Sequence, residues 1–149
     1  MKKPLTTTNI DKQTARADAA LPAAGAWDAA PTELFIGGAA RVTLTFLYTR
    51  GGAAGAFDFE LELADTNAAA RWYNSALYEA DVLVAGSDAA SGIQREYITY
   101  TATGAGDELF TYGPVSLGGA IERLRVPCRE SGNAGAPGDL RVDISLDWD

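Results

Sequence analysis

The stretch Asp139-Leu140-Arg141-Val142-Asp143-Ile144-Ser145-Leu146 decides the fold class of this chain. Its apolar residues fall on every second position, and a β-strand sends alternate side chains to opposite faces. The stretch is therefore predicted to be a strand with one buried face. Residues 121–128 have the same period, and the glycine-rich residues 130–138 separate the two stretches. Together they predict a β-hairpin with a long loop.

Strand patterns recur through most of the chain after residue 30. Residues 42–49 alternate apolar side chains with threonines, residues 57–63 alternate apolar side chains with carboxylates, and a glycine-rich turn joins them. This arrangement predicts a second hairpin. Further strands are predicted at 34–36, 82–84, 95–103, 109–112 and 115–117. The pattern of residues 65–78 fits two alternatives: one helical turn capped by Asn67, or a loop or strand.

No long amphipathic helix pattern accompanies these strands. Many short strands separated by glycine-rich turns are typical of all-β sandwiches and barrels. We therefore predict an all-β fold, an antiparallel two-sheet β-sandwich that is jelly-roll-like, with an extended N-terminal arm.

Residues 1–30 differ from the rest of the chain, because their threonines and alanines have neither a strand period nor a helix period. They hold four basic and three acidic side chains, whereas residues 31–149 hold eight basic and seventeen acidic ones. We predict that residues 1–30 form the arm and that residues 31–149 form the β-sandwich domain. The arm is expected either to be a disordered leader or to become ordered on a neighbouring subunit.

Composition excludes several classes of partner and chemistry. The chain has 149 residues and a formal net charge of −8, which argues against binding a phosphate backbone. No stretch approaches the roughly 20 apolar residues that a membrane helix requires. The chain has no histidine, so the usual general base and the usual zinc ligand are absent. We predict no nucleic acid, no membrane and no cofactor as partners.

Three carboxylates, Asp58, Glu60 and Glu62, lie on one face of one predicted strand and repeat about every 6.8 Å. This spacing suits paired carboxylates for acid and base catalysis, including glycoside hydrolysis. It is also the pattern of a solvated strand face, and arginines on other strands offer cross-strand ion pairs. The candidates are Arg123, Arg125 and Arg141. We favour the structural interpretation and predict no catalytic residue and no enzymatic activity.

Asp139, Asp143, Asp147 and Asp149 suggest calcium, which prefers several oxygen ligands from a curled loop. No calcium loop of recognised spacing surrounds them, so we predict no metal site. The single cysteine, Cys128, shares the apolar face of its strand and is predicted to be a small buried hydrophobic residue.

Aromatic residues offer an alternative function. Trp72, Tyr73 and Tyr100 could stack on sugar rings, which would make the domain a carbohydrate-binding module. Such residues also commonly anchor a core or a protein interface. Trp27 and Trp148 stand near the ends of the predicted domain, where an aromatic side chain commonly holds a terminus in place.

The stretches 121–127, 129–133 and 137–140 resemble the final hairpin of jelly-roll proteins that tailed bacteriophages place on their virions. The threonine-rich residues 42–48 and Trp72 are similar to the same group. The resemblance covers residues 33–146. It implies a structural role, as a decoration or cement protein or another minor subunit bound to a capsid or tail. Other virion subunits, a homo-oligomer with three copies, and a location in the virion after assembly in the host cytoplasm are then expected.

Overall fold

The computed structural model describes residues 10–64, 72–74, 97–117 and 121–148 of the chain. The strand predicted at 82–84 and the cap predicted at Asn67 lie outside the described residues. The described residues form eleven β-strands and one short 3-10 turn at Ala23–Gly25. The strands are β1 Ile10–Ala20, β2 Leu34–Phe35, β3 Arg41–Thr49, β4 Ala56–Phe59, β5 Glu62–Ala64, β6 Tyr73–Asn74, β7 Ile98–Thr101, β8 Glu108–Ser116, β9 Arg123–Arg125, β10 Cys128–Glu130 and β11 Asp139–Asp147.

The first layer is a four-stranded antiparallel sheet in the order β1-β11-β3-β8. The strand at 139–146 lies at its centre as β11 and pairs with β3 along its whole length. Its apolar residues Leu140, Val142, Ile144 and Leu146 are all buried, as their alternation predicts.

The second layer combines two smaller antiparallel sheets, β10-β4-β7 and β2-β9-β5-β6. The backbone N–H of Glu60 donates to the carbonyl oxygen of Pro127 at 3.0 Å, at the point where β4 gives way to β5 and β10 follows β9. This bond connects the two small sheets, so β4 with β5, and β9 with β10, run as two interrupted long strands. On the edge of β10 that faces away from β4, the backbone N–H of Asp28 donates to the Cys128 carbonyl oxygen at 2.9 Å.

Successive long strands alternate between the two layers. The chain passes from β3 in the first layer to β4 and β5 in the second, and from β8 through β9 and β10 back to β11. The last strand therefore lies between β1 and β3 in the first layer. This connectivity is that of a jelly-roll-like sandwich. The prediction of an all-β, antiparallel two-sheet sandwich is confirmed.

Both predicted hairpins are wrong. Residues 121–130 pair with β2, β5 and β4 rather than with β11, and β3 pairs with β11 and β8 rather than with β4. The loops after β3 and after β10 cross from one layer to the other. Alternation within a strand reveals which face is buried, but it does not identify the neighbouring strand.

Residues 10–30 belong to the body of the domain, whereas the sequence placed them in the arm. Strand β1 pairs antiparallel with β11, and Ala15 and Leu21 join the buried apolar cluster. The register of β1 shifts on both sides of Arg16. The Arg16 side chain donates to the carbonyl oxygens of Ala19 and Ala20 at 2.9 and 3.0 Å and pairs with Asp28. Residues 1–9 lie outside the described part of the chain.

The strands predicted at 109–112 and 115–117 are one strand, β8. Its pairing with β3 shifts between Val42 and Leu44, and Gly113 lies opposite this shift with a φ of +116°. A Cβ at Gly113 would lie 2.8 Å from the carbonyl oxygen of Val42. Only glycine fits this bulge without strain.

The core lies between the layers and is rich in aromatic rings. Phe46 of β3 lies 5.2 Å from Phe57 and 4.4 Å from Phe59, measured between ring centroids. Tyr100 and Phe110 stack at 5.0 Å where the edges of the two layers meet. Rings at these distances add to the stability gained from burial of their apolar surface. No helix among the described residues is long and apolar enough to cross a membrane.

Candidate functional site

The outer face of β4 and β5 carries the three carboxylates singled out in the sequence. Asp58, Glu60 and Glu62 do share one face, but each is only 1% exposed. The interpretation as a solvated face is therefore wrong. The alternative of cross-strand ion pairs is confirmed for one predicted arginine, because Arg125 binds Glu62. Asp58 is bound by Arg129, which was not predicted, and Arg123 and Arg141 pair with Glu33 and Asp143 instead.

Asp58 is held by groups from both neighbouring strands. Nε of Arg129, on β10, donates to Oδ2 of Asp58 at 2.7 Å, and the Thr99 hydroxyl, on β7, donates to Oδ1 at 2.6 Å. The guanidinium of Arg129 lies 4.6 Å from the ring centroids of both Trp27 and Tyr97. The two rings shield this ion pair from solvent, which strengthens the pair and the cation–π contacts.

Glu62, on the next strand segment β5, is likewise bound by an arginine that lies against an aromatic ring. Nε and Nη2 of Arg125 both donate to Oε2 of Glu62, at 2.9 and 2.7 Å. The Arg125 guanidinium lies 4.2 Å from the ring centroid of Trp72, and that of Arg123 lies 5.5 Å from it. Arg123 also pairs with Glu33 at 2.9 Å. The outer face is therefore built from carboxylates covered by arginines, which are covered in turn by aromatic rings.

These contacts limit the chemistry that the carboxylates can perform. The oxygens of Asp58 and Glu62 already accept hydrogen bonds from arginine and threonine donors, so neither is placed to take a proton from a substrate. No group of three or more metal-ligating side chains occurs among the described residues. Of the aspartates considered for calcium, Asp143 and Asp147 form ion pairs with Arg141 and Arg41. Asp149 lies outside the described residues.

Of the aromatic residues proposed as a sugar platform, the two whose side chains the structure describes, Trp72 and Tyr100, are not brought together. Tyr100 packs inward between Phe57 and Phe110, and its hydroxyl donates to the Thr111 carbonyl oxygen at 2.7 Å. Trp72 lies over Arg125. The side chain of Tyr73 lies outside the described residues. Trp27 and Trp148 do hold ends of the domain in place, since Trp27 covers Arg129 and Trp148 packs against the core.

An open groove of about 710 Å³ lies beside Asp58 on the same outer face. We call it the outer groove. Strand β7 and the loops after β3 and β10 form its walls. Its polar and aromatic lining residues are Arg50, Asp58, Tyr97, Thr99, Thr101, Arg129 and Ser131. The groove was not predicted, because its residues come from three separate parts of the sequence.

A buried carboxylate, Glu130, fixes one wall of the outer groove. Oε2 of Glu130 accepts hydrogen bonds from the backbone N–H groups of Ala56, Gly132 and Asn133, at 3.1, 3.0 and 3.2 Å. Oε1 accepts from the Tyr48 hydroxyl at 2.7 Å and from the N–H of Gly138 at 2.8 Å. These five bonds hold the loop 131–138 against the start of β4. No pattern in the sequence marks Glu130 for this role.

Arg50, at the end of β3, supplies the least satisfied polar group of the groove. No hydrogen bond or ion pair joins its guanidinium to any other residue that the structure describes, and its Nε is buried without a partner. Buried donors in proteins are nearly always bonded to protein or to ordered solvent.

Comparison of the chain with protein-family models and with curated proteins finds no significant match.

Proposed function

We propose that this chain is a non-enzymatic structural subunit of a bacteriophage particle, either a capsid decoration or cement protein or another minor virion protein. Its partners would be neighbouring capsid or tail subunits and further copies of itself, with a trimer as the expected state. It would assemble in the host cytoplasm and reside in the virion. The jelly-roll-like sandwich agrees with this role, although a fold alone does not define a function.

The observation that carries the proposal is the exposure of large apolar side chains on edge strands. Leu109 is 67% exposed in the nine-residue strand β8, which pairs only with β3 among the described residues. Phe35 is 66% exposed in β2, which within the same residues pairs only with β9. An edge strand with an exposed apolar side chain favours contact with another chain. Lateral contacts of this kind suit a subunit of an assembly.

The state of the described carboxylates supports a role without catalysis. Arginines bind Asp58 and Glu62, and five hydrogen bonds surround Glu130. The buried network holds strands and loops together. It would serve a subunit that must keep its shape while its surface binds neighbours.

Two measurements test the proposal. Light scattering on a sizing column should give a trimer or a larger ring for the full chain, and Leu109→Lys should shift it to monomer. Ala105→Lys adds the same charge in an exposed loop and should leave the oligomer intact. Mass spectrometry and antibody labelling of purified phage particles from cells that carry the gene should then find the chain on the particles. A chain that is absent from the particles contradicts the virion role, and a monomer contradicts the self-assembly.

The carbohydrate-binding alternative loses one of its residues, because the Tyr100 ring is partly buried and packs against the core between Phe57 and Phe110. Trp72 remains at the outer face beside Arg125. A sugar titration that quenches the fluorescence of Trp72, with Trp72→Phe as control, distinguishes this alternative from a purely structural subunit.

A further inference from the structure

Two of the three charged side chains that line the outer groove are arginines, although the chain as a whole is acidic. The formal net charge of the chain is −8, yet the charged groups that line the groove are Arg50, Arg129 and Asp58. Arg129 is paired with Asp58, whereas Arg50 forms no ion pair with any other described residue. Hydrogen bonds from Thr103 lower the pKa of Glu108 and Arg50 contributes to this shift, but Glu108 forms no ion pair with Arg50. The Glu130 carboxylate lies behind one wall of the groove and offsets part of the arginine charge, but five hydrogen bonds already bind its oxygens. The lining therefore offers arginine donors, which favour an anionic ligand.

The donors available in the groove suit a carboxylate. The guanidinium of Arg50 has no partner among the described residues, and its Nε is already shielded from water. Arg129 binds Asp58 through Nε alone, so its two terminal nitrogens have donors left over. Arginine nitrogens bind carboxylates through paired, charge-assisted hydrogen bonds. Burial of Nε has already removed part of the hydration of the Arg50 side chain in the folded chain. Less hydration is therefore lost when a carboxylate binds, and the free energy of binding is more favourable.

The rest of the lining suits a sugar. The side chains of Thr99 and Thr101 lie on one face of β7, about 6.8 Å apart along the strand. The Thr99 hydroxyl donates to Asp58, and Thr101 presents its hydroxyl group to the groove. Ser131 faces them from the loop after β10. At the rim, Tyr97 is 46% exposed, and the negative face of an aromatic ring attracts polarised C–H groups. The hydroxyl groups of Thr101 and Ser131 beside an aromatic ring match the alternating hydroxyl and C–H surfaces of a pyranose.

We propose that the outer groove binds an acidic carbohydrate, a short chain of sugars that bear carboxylates. Arg50 binds a carboxylate, Thr101 and Ser131 bind ring hydroxyl groups, and Tyr97 packs against a sugar ring. Asp58 and Arg129 hold the floor of the groove in place. A site of this kind does not depend on the virion role, since it needs only the folded domain.

Calorimetric titration of the full-length chain tests the site. Short oligogalacturonates should bind, and their affinity should fall as salt is added because the contact is partly ionic. Galactose oligomers of the same length, which lack the carboxylates, should bind at least about tenfold more weakly. Failure of oligogalacturonate to bind overturns the proposal. Equal binding of a polyglutamate peptide or of inorganic phosphate also overturns it, since the groove would then recognise anions without regard to the sugar.

Matched variants locate the binding. Arg50→Gln should weaken oligogalacturonate binding by about tenfold or more. Arg141→Gln removes an arginine from the outer face of the first sheet, changes the net charge equally, and should have no effect. Thr101→Glu places a negative charge in the groove at an exposed position and should abolish binding, while the melting temperature reports that the domain remains folded. Unchanged binding in both groove variants assigns the ligand to another surface and overturns the proposal.

Discussion

The phenolic hydroxyl of Tyr48 donates a hydrogen bond of 2.7 Å to Oε1 of Glu130, and both side chains are buried. Tyr48 belongs to β3 in the first layer, and Glu130 ends β10 in the second layer. The bond therefore joins the two layers at the place where the chain crosses between them. Burial and the bond to Glu130 together raise the pKa of Tyr48, so the phenol stays protonated and remains a donor.

Removal of the Tyr48 hydroxyl should destabilise the fold. Tyr48→Phe keeps the ring but leaves a charged, buried acceptor with one donor fewer, which costs about 1.5–3 kcal/mol. Urea denaturation measures this loss. Tyr100→Phe is the matched control, because its hydroxyl donates to the uncharged carbonyl oxygen of Thr111. That bond is expected to contribute about 0.5–1.5 kcal/mol. Equal losses of unfolding free energy in the two variants would show that the charge of Glu130 does not strengthen its hydrogen bond with Tyr48.

The same carboxylate predicts how stability depends on pH. Burial alone would raise the pKa of Glu130, but the hydrogen bonds from Tyr48 and from the backbone N–H groups of Gly138, Ala56 and Gly132 lower it below its ordinary value. Because the folded pKa is the lower one, the stabilisation is complete above the ordinary pKa of about 4.3 and is lost as the pH falls through the folded value. The urea midpoint should therefore fall between about pH 5 and pH 3. Glu130→Gln should reduce that fall, and an unchanged pH profile would contradict this assignment.

Close packing at the crossing requires glycine at position 138. A Cβ on Gly138 would lie 2.6 Å from Cε2 of Tyr48 and would also clash with the carbonyl oxygen of Thr49. Gly138→Ala should cost about 1–3 kcal/mol, since both neighbours are fixed in the core. Gly106→Ala is the control, because nothing lies within 4 Å of a Cβ there. Thermal denaturation of the two variants checks the difference, and a neutral Gly138→Ala would show that the loop can move away from Tyr48.

The thiol of Cys128 should be unreactive in the folded chain. The side chain is fully buried, and this burial raises its pKa well above the ordinary value, with Asp28 adding to the shift. A thiol-specific reagent such as dithionitrobenzoate attacks the thiolate, so labelling at neutral pH should occur only after unfolding in urea. Rapid labelling without denaturant would mean that β10 opens in the native state.

Strand positions could be predicted from the sequence because apolar and polar residues alternate within each strand according to which face is buried. Residues 42–48 and 139–146 alternate, and their apolar side chains are buried as β3 and β11. Pairing could not be predicted in this way, since the partner of Asp58 in the outer face, Arg129, lies 71 positions away. The burial of the carboxylates depends on such distant residues.

Strand β1 was missed for a local reason. Its register shifts between Thr14 and Arg16 and again between Arg16 and Ala19. Each shift interrupts the period of two by which a strand is recognised. The structure of the outer groove was beyond prediction for a related reason, because the loops that form it have no period at all.

A pair of alanine substitutions distinguishes a strand at residues 10–20 from a detached arm. Ala15 is buried in the core, whereas Ala17, two residues further along the chain, is exposed. Ala15→Asp would bury a charge without a partner and should cost several kcal/mol or prevent folding. Ala17→Asp should change the stability by less than about 0.5 kcal/mol. A detached arm would tolerate both substitutions equally. Circular dichroism melts of the two variants, which carry the same net charge, therefore measure whether β1 holds its place against β11 in solution.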